Sequence, residues 1–282
     1  AHVPGLSRTR ARVLLDIGGV FVDGARVKVA SREMRAGQAI EANVGPALDR
    51  ASKEVGQKAR EKDAAQLPEP VIVHRDRDIV VADKPARLIT APTPESDRGN
   101  LADMLRRRLG GAIYVVQRLD LGTSGLLVMA RTADANRVLS DRIRAHDFER
   151  VYLAVLSGRL DGDAHTVDLP IEGRRARTHI EVIERIGEIA TLARCRLETG
   201  RTHQIRIHAR HLGHPVLGDD LYGRRNPPPL GEPELPPRMA LHATRLAFAH
   251  PRTNKPLSFE SPLPDDLSSW LDRLRAAHSQ DR

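Results

Sequence analysis

From about residue 70 onward, apolar and polar positions alternate in short runs. "VIVHR" (71–75), "IVVAD" (79–83), "AIYVVQ" (112–117) and "LLVMA" (126–130) each fit a β-strand. So do "VYLAVL" (151–156), "HIEVIE" (179–184), "TLARCRLE" (191–198) and "HQIRIH" (203–208), with turn residues between the runs. The period becomes helical in three places. Asn100 stands where an N-cap belongs, before "LADMLRRRL", and Gly110 ends that run. Thr132 caps "ADANRVLSDRIRAH", in which Ala135, Val138, Leu139 and Ile143 share one face. "DDLSSWLDRLRAA" reads as a last helix. Many strands with a few helices predict an α+β fold on a mixed, mostly antiparallel sheet. "PPPLGEPELPP" (227–237) predicts a stiff surface loop.

Residues 5–45 form a separate pattern. Ser7 is placed to cap a short helix carrying Arg8, Arg10 and Arg12, which Gly18 and Gly19 end. "VFV", then "DG", then "ARVKV" predicts a hairpin. In "AIEANV", Ile40, Ala42 and Val44 alternate with polar or small neighbours and give one apolar face. Residues 46–69 are charged, end in prolines and read as a linker, part helical. The expected organisation is a small unit at 5–45, a linker at 46–69 and a large domain at 70–275.

Composition narrows the function classes. The 282 residues are 40% hydrophobic and 29% charged, as in a soluble globular protein. There are 45 Lys and Arg against 37 Asp and Glu, so 45 − 37 gives +8. Most of the basic residues are Arg, whose planar fork suits phosphate, and an anionic partner such as nucleic acid is expected. The lone Cys195, inside "LARCRL", excludes an internal disulfide framework and a cysteine-only metal cluster, and reads as a small buried hydrophobe. No apolar run approaches a transmembrane length and the N-terminus carries no signal-peptide core, so a cytoplasmic protein without a membrane partner is expected.

Three stretches carry candidate chemistry. In "QRLDLGTSGL" (117–126), an extended backbone would put Tyr114, Val116, Arg118 and Asp120 on one face, just before the Gly122–Gly125 turn. A carboxylate there suits a nucleophile, a general base, a metal ligand or a turn cap. In "ETGRTHQIRIHARHLGHPVLGDDLYG" (198–223), a strand over 203–208 would turn Ile205 and Ile207 to the core and Gln204, Arg206 and His208 to the other face. His203, His208, His211 and His214 do not predict a metal site. The first two fall on opposite faces of that strand, and Gly213 and Pro215 break any helix that could align the rest. In "ERVYLAVLSG" (149–158), Tyr152 suits either stacking on a base or strand packing.

The ordered set of blocks resembles the RluA-type pseudouridine synthases. "RLDLGTSGLLVMA" is similar to their central motif, "ERVYLAVLSG" to their tyrosine motif and "TGRTHQIRIHARHLGHPVLGDDLYG" to their third motif. "MALHATRLAFAHPRT" (239–253) resembles their last motif and "VVADKPARLITAP" (80–92) their first. Residues 5–45 resemble the latter part of an S4-type RNA-binding unit without its first helix, and make Arg8, Arg10 and Arg12 candidate RNA contacts.

The resemblance implies isomerisation of specific uridines to pseudouridine in RNA, with ribosomal RNA favoured over transfer RNA. It assigns Asp120 as the catalytic nucleophile, Arg206 as its partner, Tyr152 as the residue stacking on the target base, Arg118 as an aid in displacing that base, and Leu241 as a pocket wall. It implies no cofactor and no metal, and single-chain chemistry of this kind suits a monomer. Gln117 stands where the family usually has histidine, Arg87 where it has glycine and Asp83 where asparagine is common. A non-catalytic RNA-binding protein on the same fold is the competing expectation.

Overall fold

The structure is a computed structural model. It describes residues 11–27 and 35–50 apart from 12, 16 and 47, together with 68–92, 99–223 and 235–278. The chain divides into two compact units, 1–66 and 67–282.

In the first unit, residues 11 and 13–15 are helical, and Val13 and Leu14 are buried with Leu48. β1 (Val20–Val22) pairs with β2 (Ala25–Val27) and with β3 (Ile40–Ala42), both antiparallel. The β1–β2 turn holds Asp23 and Gly24 at φ of 50° and 74°. Two positive φ values in succession make the primed turn that an Asp-Gly pair favours. The expected apolar face of 39–44 is mostly open, since Ile40 is 49% and Val44 58% exposed and only Ala42 packs inward. Ser7, Arg8, Arg10 and Arg12 lie outside the described residues, as do 51–67 of the linker and 227–234 of the proline-rich loop.

The second unit is built on one ten-stranded sheet. Its strands are β4 (Val71–Arg75), β5 (Ile79–Lys84), β6 (Tyr114–Val115), β7 (Ser124–Ala130), β8 (Glu149–Ser157), β9 (Ala164–Asp168), β10 (Arg177–Ile186), β11 (Ala190–Leu197), β12 (Leu241–Ala249) and β13 (Pro256–Glu260). The spatial order is β4-β5-β7-β12-β8-β11-β10-β9, with β6 on β7 and β13 on β12. All pairings are antiparallel except β7 with β12. The expected mixed, mostly antiparallel sheet is the one observed.

Period-2 alternation sends successive side chains to opposite faces, and each face takes two helices. Val80, Ala82, Leu127 and Met129 face α1 (Leu101–Leu109), while Ile79, Val81, Leu126 and Val128 face α2 (Ala133–Arg144). Ala154, Ala193 and Cys195 face α3 (Gln204–His211), while Val155, Ala190 and Leu192 face α4 (Asp265–Ala277). Tyr152 packs against the clusters under α1 and α3, so those two helices share a face. β7 is buried on both sides, which explains the uninterrupted run "LLVMA". The caps are where the sequence puts them. Asn100 Oδ1 accepts from Asp103 N at 3.0 Å, and Thr132 Oγ1 from Ala135 N at 3.2 Å.

Two expected strands differ. The run 112–117 pairs only at Tyr114–Val115, although its alternation persists, with Ile113 and Val115 on one cluster and Tyr114 and Val116 on the other. Residues 203–208 are not a strand. His203 takes a left-handed conformation (φ 56°) and Gln204–His211 is helix, with Ile205, His208 and Ala209 buried at helical spacing. A six-residue alternation fits both periods, so pattern alone does not separate them. The stop signal is at Gly213 (φ 85°): its N–H bonds to Arg210 O at 2.9 Å and that of His214 to Ala209 O at 3.1 Å, a paired C-terminal cap.

The sheet forks at Thr244. His242 and Ala243 pair with Ser124 and Gly125 of β7, and from Arg245 onward β12 pairs with β13 instead. The two backbones meet closely at Gly125, where φ is 112° and a Cβ would lie 2.3 Å from Ala243 O. Gly125→Ala is expected to cost about 3 kcal/mol or more, from strain and overlap together. Urea unfolding measures this, and a loss below about 1 kcal/mol would mean that β7 and β12 can separate.

Candidate active site

A cavity of about 560 Å³ opens on the face shared by α1 and α3. Asp120 lines it, in the segment between β6 and β7. That segment is fixed from both ends. Thr90 Oγ1 donates to Leu119 O at 2.9 Å and accepts from Leu119 N at 3.1 Å. After Asp120 the chain turns, with Thr123 N on Asp120 O, and Arg87 N holds Leu121 O at 2.8 Å. Ser124 then meets His242 Nδ1 at 2.9 Å, while His242 Nε2 lies 3.2 Å from Ser261 O. A carbonyl only accepts, so Nε2 carries the proton and Nδ1 accepts from Ser124.

Arg206, in the first turn of α3, reaches across the cavity. Its Nη1 donates to Asp120 Oδ2 at 2.9 Å. Its other edge forms a two-pronged pair with Asp219, Nε to Oδ2 at 2.6 Å and Nη2 to Oδ1 at 2.9 Å. Asp219 is fully enclosed and also accepts from the backbone N–H groups of Leu221 and Tyr222. Burial pushes the Asp219 carboxyl up, but Arg206 and these amides pull it below its ordinary value. Burial likewise pushes Arg206 down, and the hydrogen bonds to Asp219 and Asp120 more than reverse this. The ring of Tyr222 lies under the guanidinium, 4.9 Å from it to the ring centre. The guanidinium is therefore held from three sides and Asp120 is held through one oxygen. Among the described residues Oδ1 of Asp120 accepts no hydrogen bond.

The sequence names Asp120, Arg118, Tyr152, Arg206 and Leu241, and all five line this one cavity. Arg118 is exposed, Tyr152 is half-buried with its phenol pushed up by burial, and Leu241 is 3% exposed at the start of β12. Arg206 arrives on a helix, not on a strand's polar face. Gln117 also borders the cavity. Arg87 has φ 65°, a left-handed conformation, which is why glycine suits that position.

Sequence reasoning missed Asp219, His203 and Lys84. Asp219 follows Gly218 (φ 75°), where a Cβ would meet Arg238 O at 2.5 Å, so the "LGDD" run was the available signal. His203 Nε2 lies 3.9 Å from Asp120 Oδ2, and its Nδ1 meets the Tyr222 hydroxyl at 3.0 Å. Burial lowers this imidazole's pKa. Lys84 is fully buried, and its Nζ donates to Pro85 O at 3.0 Å and Leu88 O at 2.8 Å.

The reason for discounting a histidine metal site needs correction, because 203–208 is not a strand with two faces. The imidazoles instead have separate partners. His203 has Tyr222, His208 has Thr178 and Leu169 O, and His214 has Ser157 O. Among the described residues one group with metal-ligand spacing exists, Asp76, Asp78 and His250, outside this cavity. Asp78 there already accepts from Arg252 Nε at 2.6 Å.

Asp219→Ala leaves a buried cation unpaired on one edge and is expected to cost about 3–5 kcal/mol. Chemical denaturation tests it, and a loss under about 1 kcal/mol would show that Arg206 finds another partner. Lys84 gives a pH signature. Burial lowers its ammonium from 10.5 to about 7, with Asp120 opposing. The unfolded chain then binds more protons between these values, so this group's penalty is full below pH about 7 and fades as pH rises. Lys84→Met should reduce the rise in urea midpoint from pH 7 to pH 9, whereas equal rises in both proteins would assign the slope elsewhere.

Comparison with known proteins adds four findings. Residues 78–211 match the family model described as RNA pseudouridylate synthase. The chain is 38% identical over 225 residues to the ribosomal large subunit pseudouridine synthase D of Nitrosomonas europaea, covering 72% of this chain and 65% of that protein. It is 37% identical over 295 residues to an uncharacterised RNA pseudouridine synthase of Chloroflexus aurantiacus, covering 97% of this chain and 87% of that one. The solved structure of human RNA pseudouridylate synthase domain containing 1 is similar at a TM-score of 0.55 and 26% identity, over 74% of this chain and 95% of the human one. The fold, the ordered motifs and these relatives agree: the chain belongs to the RNA pseudouridylate synthase family.

Proposed function

We propose that this chain isomerises specific uridines to pseudouridine in ribosomal RNA, with Asp120 as the nucleophile. The observation that carries this reading is the state of Asp120. Its Oδ2 is tied to Arg206 while Oδ1 is unengaged among the described residues, at a cavity lined by four arginines and no other carboxylate. A relative named for the large ribosomal subunit supports the RNA class.

In this reading a target uridine leaves its stack and enters the cavity. Such extrusion costs a few kcal/mol, which Arg118 at the exposed rim helps to offset by replacing the base. Tyr152 stacks on the uracil and Leu241 closes one wall. Oδ1 of Asp120 adds at the uracil ring or at the ribose anomeric carbon. The N1–C1′ bond breaks, the ring turns, C5 bonds to C1′, the bond to Asp120 breaks and returns its carboxylate, and the C5 proton leaves as N1 gains one. Atoms and electrons balance without oxidant or reductant, so the chemistry calls for no redox cofactor, and the nucleophile is a side chain, not a metal-bound water. Arg206 keeps the carboxylate aimed, and Asp219 keeps Arg206 aimed. Every group used comes from one chain, which suits a monomer acting on RNA in the cytoplasm. The first unit, with Arg8, Arg10 and Arg12, would add S4-like RNA contacts.

Tritium release from ribosomal RNA labelled at uridine C5 tests the reading, with transfer RNA as the comparison. Wild type should release tritium from ribosomal RNA, and Asp120→Asn should lose at least about 10³-fold in rate while still binding RNA. Equal release by both proteins would remove Asp120 from the chemistry. Binding without release by either would favour a non-catalytic RNA-binding protein.

A further inference from the structure

Arg150 differs from the other arginines of the cavity. It sits two residues before Tyr152 on β8, on the same strand face and about 7 Å away along the strand. It is only 6% exposed. Its Nη2 donates to Glu198 O at 3.2 Å, and its Nε, shut off from solvent, has no hydrogen-bond partner among the described residues. No described carboxylate pairs with it. The Glu198 side chain is turned to Arg175, Arg177 and His179, and Glu149 pairs with Arg245. Burial disfavours its charged form; Tyr152 favours that form, and Arg201, a second cation lining the same cavity, opposes it.

Gly200 explains how the guanidinium fits. A Cβ at Gly200 would lie 2.5 Å from Arg150 Nη1. The "TGR" run thus removes a side chain where Arg150 passes and adds a cation immediately afterwards. Two cations facing a cavity, one of them buried without a counter-ion, are expensive unless an anion arrives. A uracil carbonyl is neutral and would leave the charge uncompensated. The anion that RNA supplies is its phosphodiester, and the guanidinium fork matches it.

We propose that Arg150 and Arg201, spaced by Gly200, form a seat for a phosphodiester group of the RNA strand beside the target uridine. This rests on the RNA isomerase reading above. The seat acts on binding and register, since phosphate contacts position a strand without reading its bases. It leaves the bond exchange to Asp120.

The test is the affinity of a short fluorescent oligouridylate, measured against salt concentration. Arg150→Gln is expected to weaken binding about tenfold and to reduce the slope of log Kd against log salt by about one. Arg150→Lys should restore most of the slope. On turned-over ribosomal RNA, Arg150→Gln should raise KM with little change in kcat. Gly200→Ala keeps every charge while displacing the guanidinium, and should reproduce the weaker binding if the glutamine variant does not fold. Wild-type affinity and slope in both variants would overturn the seat. Wild-type tritium release is read on the same preparation. Release with no binding effect sinks the seat alone, and a binding effect without release leaves the seat but sinks the isomerase reading.

Discussion

The candidate site depends on one guanidinium held between two carboxylates. Arg206 spends two of its nitrogens on Asp219, which is enclosed, and a third on Asp120, which faces the cavity. Such a buried group is costly if any partner is missing, and that cost keeps the arrangement in one geometry. The result is an asymmetric division of labour. Asp219 has all its contacts inside the fold, with two backbone amides as well as the arginine. Asp120 gives one oxygen to the fold and presents the other to whatever enters. The Tyr222 ring under the guanidinium and the His203 imidazole beside it close off the remaining side.

The sheet supplies the rigidity that this triad needs. Asp120 precedes β7 by four positions, and β7 is buried on both faces between β5 and β12. Its parallel contact with β12 brings Gly125 against Ala243 and Ser124 against His242. Leu241, at the start of β12, is therefore placed by the same contact that places Asp120. On the other side of β12, Ala243 is the register partner of Tyr152 on β8. Three cavity residues far apart in the chain thus hang on two adjacent strand pairings. Lys84, at the end of β5, is the register partner of Gly125 and ties Pro85 and Leu88 to the same strands.

Charge in the cavity is uneven. Among the described residues, four arginines and one carboxylate line it. Arg206 is fully compensated and Arg118 is exposed to solvent, so neither strains the fold. Arg150 is buried beneath Gly200 with no described carboxylate paired to it, and Arg201 lines the same cavity. A polyanion entering such a cavity meets one cation paired with carboxylates, which serves the nucleophile, and others that donate only to backbone carbonyls or face solvent.

Local physics made much of this chain legible in advance. Two-residue alternation marks the strands, because neighbouring side chains in a strand must face opposite sides. Asn100 and Thr132 mark helix starts, because a helix's first N–H groups need an acceptor. The Asp23–Gly24 hairpin and the residues Asp120, Tyr152 and Arg206 were legible as well, the last three through the order of motifs. What the sequence by itself could not determine depends on distant partners. The run 203–208 alternates as a strand does, yet it is a helix, because Ile205 and Ala209 pack on the sheet and Gln204 bonds to Thr178 and Arg177 O. Asp219 is one acid among many until Arg206 turns toward it, and that turn exists only on the helix. The Asp120–Arg206 bond spans 86 residues. No local pattern encodes a pairing at that separation, so only the packed sheet and helix decide it.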